Sequence, residues 1–326
     1  MIDASVGIDA EIVEAMEALG MPPGLEEPPP SLELLAEMRA APPRFPFDPV
    51  PAPGALREER WIPGAPGAPD VAIRIHRPAE APATPAAGVV WFHGGGLVVA
   101  SYDSDAAYLD ALVARTGCVA VSVEYRLAPE SPYPAAIDDS FAGLVFLHEE
   151  AAALGVDGSR LAVGGFSAGG NLAAACALRA REAGIPLVHQ HLIYPMLDDR
   201  QLTESSRWAG LAGWSCALNT FAWQCYLGEL HGSDEVPSFA APARERDLTG
   251  LAPAYIHVGG LDGFLHEDVD YAARLASAGV PIELHVFPGL PHGFDFFAPD
   301  AAASRAATAL SDAALDRVLD SRSYSI

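Results

Sequence analysis

The sequence predicts an α/β fold in which a mostly parallel central sheet is covered by helices on both faces and carries a helical cap. Three observations point to it. Continuous apolar runs such as Val89–Phe92 and Val119–Val123 suit strands buried on both faces. These runs alternate along the chain with segments of helical periodicity. Residues 198–246 then break the rhythm with aromatics at helical spacing and no strand pattern.

In chain order, Ile8–Leu19 and Ser31–Met38 carry apolar side chains at helical spacing, with Ser31 placed to cap the second helix and Glu33 and Glu37 on its outer face. Pro22-Pro23, Pro28–Pro30 and the Pro42–Pro53 stretch read as extended connectors. Residues 1–55 are therefore expected to form an N-terminal cap segment, a plain arm being the alternative. The main α/β domain is expected to span 56–197 and 247–326, with 198–246 as the inserted cap segment. Val71–His76 alternates at period two, as a half-buried edge strand does. Further strands are predicted at Leu161–Gly164, Leu187–Tyr194, Ala254–Gly259 and Ile282–Phe287, and helices at 104–116, 135–154, 170–183, 266–278 and 301–320. Of the inserted aromatics Trp208, Trp214, Phe221, Trp223 and Tyr226, most are expected to form the insertion's own core and one or two to face a pocket at the strand ends.

The charge balance excludes some partners. With 43 acidic against 19 basic residues the net charge is −24, which opposes binding to nucleic acid or to an anionic membrane surface. All the basic residues are arginine, so no lysine is present to form a Schiff base. Cys118, Cys176, Cys216 and Cys225 show no C-x-x-C pairing and are expected as buried free thiols, consistent with a reducing compartment. No stretch of about 18 apolar residues occurs, and the acidic N-terminus is unlike a signal peptide, so a cytoplasmic location is expected.

The chemistry centres on Gly165-Phe166-Ser167-Ala168-Gly169, set between an apolar strand and a helix. That context describes a nucleophile elbow, a strained turn that lifts the serine hydroxyl above the sheet. A serine needs a base, an acid to orient the base, and donors for the oxyanion. His292 follows the last strand and suits the base; Asp262 follows the strand before it and suits the acid. Asp198 precedes the insertion and is expected to be structural, while Glu267 and Asp268 open a helix, where acids serve the helix dipole. His93-Gly94-Gly95-Gly96 directly follows the Val89–Phe92 strand; Gly94 and Gly95, with Ala168, are the expected oxyanion donors, and His93 is expected to pin the loop. His189 and His191 share a strand face without a third ligand at recognisable spacing, so no metal site is expected. His257 and His285 fall in strand patterns, and His76, His148, His231 and His266 read as surface residues.

His93-Gly94-Gly95-Gly96, Tyr125-Arg126-Leu127-Ala128-Pro129-Glu130, Ser167-Ala168-Gly169-Gly170-Asn171 and His292-Gly293-Phe294 together resemble the hormone-sensitive-lipase family of bacterial esterases, also called family IV. The likeness covers roughly residues 56–320. It implies an α/β-hydrolase fold, a cap built from the N-terminus and an insertion, hydrolysis of short-to-medium acyl esters without a cofactor, and often a homodimer formed through the last strand and its neighbouring helix. The Ser167, Asp262, His292 order is the one such hydrolases use. Three positions depart from the family pattern: Phe166 replaces an aspartate, Gly263 stands where proline is common, and Ala100 where glycine is frequent. An amidase or lactonase would use the same triad, and the sequence does not separate these from an esterase. A non-catalytic ligand-binding protein on this fold is the other alternative, and the presence of His292 speaks against it.

Overall fold

The computed structural model describes residues 6–21, 23–24, 28–41, 48–208 and 211–320. Pro22, residues 42–47 of the Pro42–Pro53 connector, and residues 1–5 and 321–326 of the expected domain ranges lie outside the described residues.

Eight strands form one sheet in the order β1-β2-β4-β3-β5-β6-β7-β8. They are β1 (Ala55–Ile62), β2 (Val71–Pro78), β3 (Ala86–Phe92), β4 (Val119–Val123), β5 (Val156–Phe166), β6 (His189–Ile193), β7 (Ala254–Gly259) and β8 (Ile282–Phe287). From β4 to β8 every neighbouring pair is parallel, whereas β2 runs antiparallel to both β1 and β4. The helices are α1 (Ala10–Ala18), α2 (Leu32–Ala40), α3 (Ala106–Thr116), α4 (Ala135–Glu149), α5 (Ala168–Ala183), α6 (Cys216–Leu227), α7 (Leu265–Ser277), α8 (Phe294–Phe297) and α9 (Ala302–Leu319).

Alternation within β3 shows how the sheet is buried on both sides. Val90 and Phe92 join the core beneath α4, α5 and α7, while Val89 and Trp91 join a second core beneath α1, α3 and α9. Ser31 caps α2 by accepting from the Leu34 amide at 3.1 Å, as its position predicted. Among the described residues no helix is long and apolar enough to cross a membrane.

Several expectations are corrected. Val71–His76 is not an edge strand, because β1 pairs along its whole length and takes the edge itself. The Arg57-Glu58-Glu59-Arg60 run hid β1 from a reading based on apolar alternation; on an edge strand such charges reach solvent or partners. His76 is fully buried, with Nδ1 2.8 Å from Asp110, so it is not a surface residue. Glu267 and Asp268 are buried as well, and Glu267 accepts from the Leu197 and Asp198 amides. The helix expected to reach residue 154 stops at Glu149 and continues as turns. Three of the four free cysteines are buried, and Cys216 is half-buried.

Candidate active site

Register brings the expected parts to one end of the sheet. Phe92 pairs with Gly165 and Gly259 with Phe287, so the segments that follow β3, β5, β7 and β8 leave the sheet on the same side. Ser167 lies immediately beyond β5 with φ 55° and ψ −115°, a backbone conformation that costs about 1–3 kcal/mol for a residue with a side chain. Such a turn leaves no room beside it. A Cβ on Gly169 would run into the Phe92 carbonyl, and one on Gly165 into the backbone of Gly169.

His292 Nε2 lies 2.9 Å from Ser167 Oγ, and His292 Nδ1 lies 2.7 Å from Asp262 Oδ2. Ser167 and His292 are each 7% exposed and Asp262 1%. The other Asp262 oxygen accepts from the Phe264 amide at 2.9 Å, which fixes the carboxylate in the turn leading into α7. Asp198 is instead engaged by Arg200 at 2.7 Å, in keeping with a structural role.

The loop after β3 lies against the nucleophile: a Cβ on Gly94 would sit 3.6 Å from that of Ser167. Gly95 takes φ 107°, and among the described residues neither the Gly94 nor the Gly95 amide donates to a backbone carbonyl. Ala168 opens α5, where first-turn amides have no partner within the helix. His93 behaves as a fastener. Its ring stacks on Tyr125 at 4.0 Å, Nδ1 meets the Gly94 carbonyl at 2.7 Å, and burial lowers its pKa to about 4, so it is neutral. Tyr125 donates to the His93 carbonyl at 2.8 Å, while Arg126 grips the buried Asp139 through two nitrogens. Asn171 donates to the carbonyls of Met196 and Ala240, tying the elbow helix to the segment between β6 and β7.

A cavity of about 480 Å³ opens beside Ser167, lined among others by Gly94, Gly95, His292 and Trp214. Trp214 is the inserted aromatic that reaches it; Trp208, Trp223 and Tyr226 are buried within the protein. Phe166 and Tyr194 form part of the wall, and Asp105, Tyr108, His257 and Asp295 also line it. Sequence reasoning missed Tyr194, Asp105, Tyr108 and Asp295. Only Tyr194 carried a usable signal, its position one residue beyond a strand end.

A second line of similar composition lies under α3. Ser122 Oγ is 3.5 Å from His76 Nε2, and His76 Nδ1 is 2.8 Å from Asp110. All three are buried, and Arg57 and the Ala52 amide also bind Asp110. His189 and His191 meet one another at 3.2 Å, and His191 reaches Ser311 at 2.8 Å.

Residues 89–296 match the model of a protein family described as having the α/β-hydrolase fold. The chain belongs to that family, in the hormone-sensitive-lipase-like branch that its four motifs resemble. This hydrolase is 39% identical over 269 residues to the carboxylesterase NlhH of Mycobacterium tuberculosis, covering 80% of this chain and 82% of that protein. It is 38% identical to the esterase LipI of the same organism, over 73% of this chain and 75% of the relative. Among solved structures, a bacterial heroin esterase superposes with a TM-score of 0.85 at 36% identity, covering 97% of this chain and 99% of the other.

Proposed function

We propose that this hydrolase is a serine carboxylesterase acting on short-to-medium acyl esters through an acyl-enzyme. The observation that carries this reading is the unbroken Ser167–His292–Asp262 line, 2.9 and 2.7 Å long, with Ser167 and His292 lining a cavity. The esterase relatives support the same reaction class. His292 takes the proton from Ser167 as the hydroxyl oxygen bonds to the ester carbonyl carbon, and Asp262 stabilises the resulting imidazolium. Gly94, Gly95 and Ala168 amides receive the oxyanion. The tetrahedral adduct collapses by breaking the bond to the alcohol, which leaves with the proton from His292. Water, deprotonated by the same imidazole, then cleaves the acyl-enzyme and frees the acid.

Residues 1–55 and 198–246 serve in this proposal as the cap that limits substrate size. Trp214 on the cavity wall supports it, as do the bonds from Arg39 of α2 to the Val98 and Ala128 carbonyls near the oxyanion loop. Turnover of p-nitrophenyl acetate, butyrate and decanoate, beside the matched p-nitroanilides, tests the reading. Fast butyrate and slow anilide hydrolysis is expected; anilides turned over as fast as the esters would make it an amidase.

A further inference from the structure

Two carboxyl groups line the cavity, and among the described residues neither is hydrogen-bonded to an opposite charge. Asp105 stands at the N-cap of α3, yet its side chain makes no capping bond. Its Oδ2 accepts from Trp91 Nε1 at 3.2 Å, and Oδ1 has no hydrogen-bond partner among the described residues, although the residue is only 9% exposed. An aspartate in this position ordinarily turns to the helix amides; here it turns to the cavity. Asp295 is the second carboxylate. Its Oδ1 accepts from the Tyr194 hydroxyl at 2.8 Å and the Phe296 amide at 3.1 Å, while Oδ2 is unpartnered among the described residues.

The buried carboxylates Asp110, Asp139 and Asp199 each face an arginine, whereas Asp268 of α7 is buried with both oxygens unpartnered among the described residues. Among the described residues no arginine lines this cavity. His257 supplies no countercharge either, because burial and the neighbouring His285 hold its pKa at about 3; its Nε2 is buried with no partner. Burial also raises the pKa of both cavity carboxyls, Asp105 to about 7, and Asp295 adds to the effect on Asp105 by repulsion. Aromatic side chains complete the surroundings. Phe166 lies 5.2 Å from Tyr108 and 6.2 Å from Tyr194 between ring centroids.

We infer that the Asp105–Asp295 side of this cavity receives a substrate ammonium group, so that esters bearing an amine or quaternary ammonium a few bonds from the scissile carbonyl are the preferred class. Carboxylates beside aromatic rings are the chemistry that holds such a cation. The span follows from Tyr194, whose ring packs 4.8 Å from that of His292 while its hydroxyl binds Asp295. One phenol ring therefore separates the base from the acidic end. The inference rests on the esterase reading for its reaction, and the ammonium site itself can be measured without turnover.

Two isosteric pairs test it. Acetylcholine against 3,3-dimethylbutyl acetate places the cation in the alcohol; p-nitrophenyl 4-(trimethylammonio)butanoate against p-nitrophenyl 5,5-dimethylhexanoate places it in the acyl group. With rates normalised to hydroxide hydrolysis, the cationic member of at least one pair is expected to show a kcat/KM about tenfold higher. The pair that responds assigns the Asp105–Asp295 side to the alcohol or the acyl group. In Asp105→Asn/Asp295→Asn the cationic-to-neutral ratio should fall toward one. Calorimetry of the unaltered protein with choline and with 3,3-dimethylbutan-1-ol gives a readout independent of hydrolysis and of the variant's folding; choline is expected to bind more tightly. Hydrolysis of the neutral esters with no cationic preference and no choline binding overturns the inference, as does a preference that survives the double substitution. Choline binding without hydrolysis of any ester would overturn the esterase reading and leave the ammonium site standing.

Discussion

Phe166 lies edge-on against Trp91, with ring centroids 5.3 Å apart, so the position before the nucleophile contributes to an aromatic wall. The rings of Tyr108 and Tyr194 close on the same side chain. The departure from the family pattern thus has a packing environment of its own.

Replacing Phe166 by Asp removes those ring contacts and adds a carboxyl near Asp105 without supplying a cation. The expected result is a loss of about 2 kcal/mol in urea unfolding together with an altered turnover rate. Unchanged stability would mean that the ring packing contributes little.

Ser167→Ala should lower ester turnover by at least about a thousandfold. The circular dichroism spectrum and melting temperature should stay near those of the parent, since the substitution removes one hydroxyl and leaves the elbow glycines in place. Near-parental activity would exclude Ser167 as the nucleophile.

In Asp262→Asn the carboxylate that holds His292 Nδ1–H becomes an amide, and the imidazole loses both its orientation and its countercharge. A drop in kcat of roughly four orders of magnitude is expected. Steady-state kinetics at neutral pH measures it; an unaffected rate would move the acid role elsewhere.

Much of this arrangement was legible because strand ends are punctuated in sequence. Continuous apolar runs marked β3 and β4, and the glycines after β3 and around Ser167 marked where the chain leaves the sheet. The edge strand β1 was not legible, since its charges satisfy Asp110 and Arg74 through tertiary contacts that no local pattern announces. The carboxylate side of the cavity was hidden for a related reason. Asp105, Tyr194 and Asp295 come from the start of α3, the end of β6 and α8, and each has an ordinary local reading as a cap, a strand end or a helix acid.

Acid should reveal the second polar line. Burial alone would raise the Asp110 carboxyl, but hydrogen bonds from His76, Arg57 and the Ala52 amide outweigh it and hold the pKa at about 2. A folded-state pKa below the unfolded value of about 4 gives stability that is complete above pH 4 and fades as the pH falls toward 2. Urea unfolding of Asp110→Asn should therefore show a shallower decline across that window than the parent, with ester turnover at neutral pH retained.

Ser122, His76 and Asp110 also bear on how this protein meets a covalent inhibitor. Two serines are backed by a histidine and an aspartate; Ser167 lines a cavity that a fluorophosphonate can enter from water, whereas Ser122 is buried. Intact mass should rise by one adduct per chain, and a second adduct would report that the layer beneath α3 had come apart. The buried line thereby turns a serine-directed label into a gauge of whether the folded sheet is still closed.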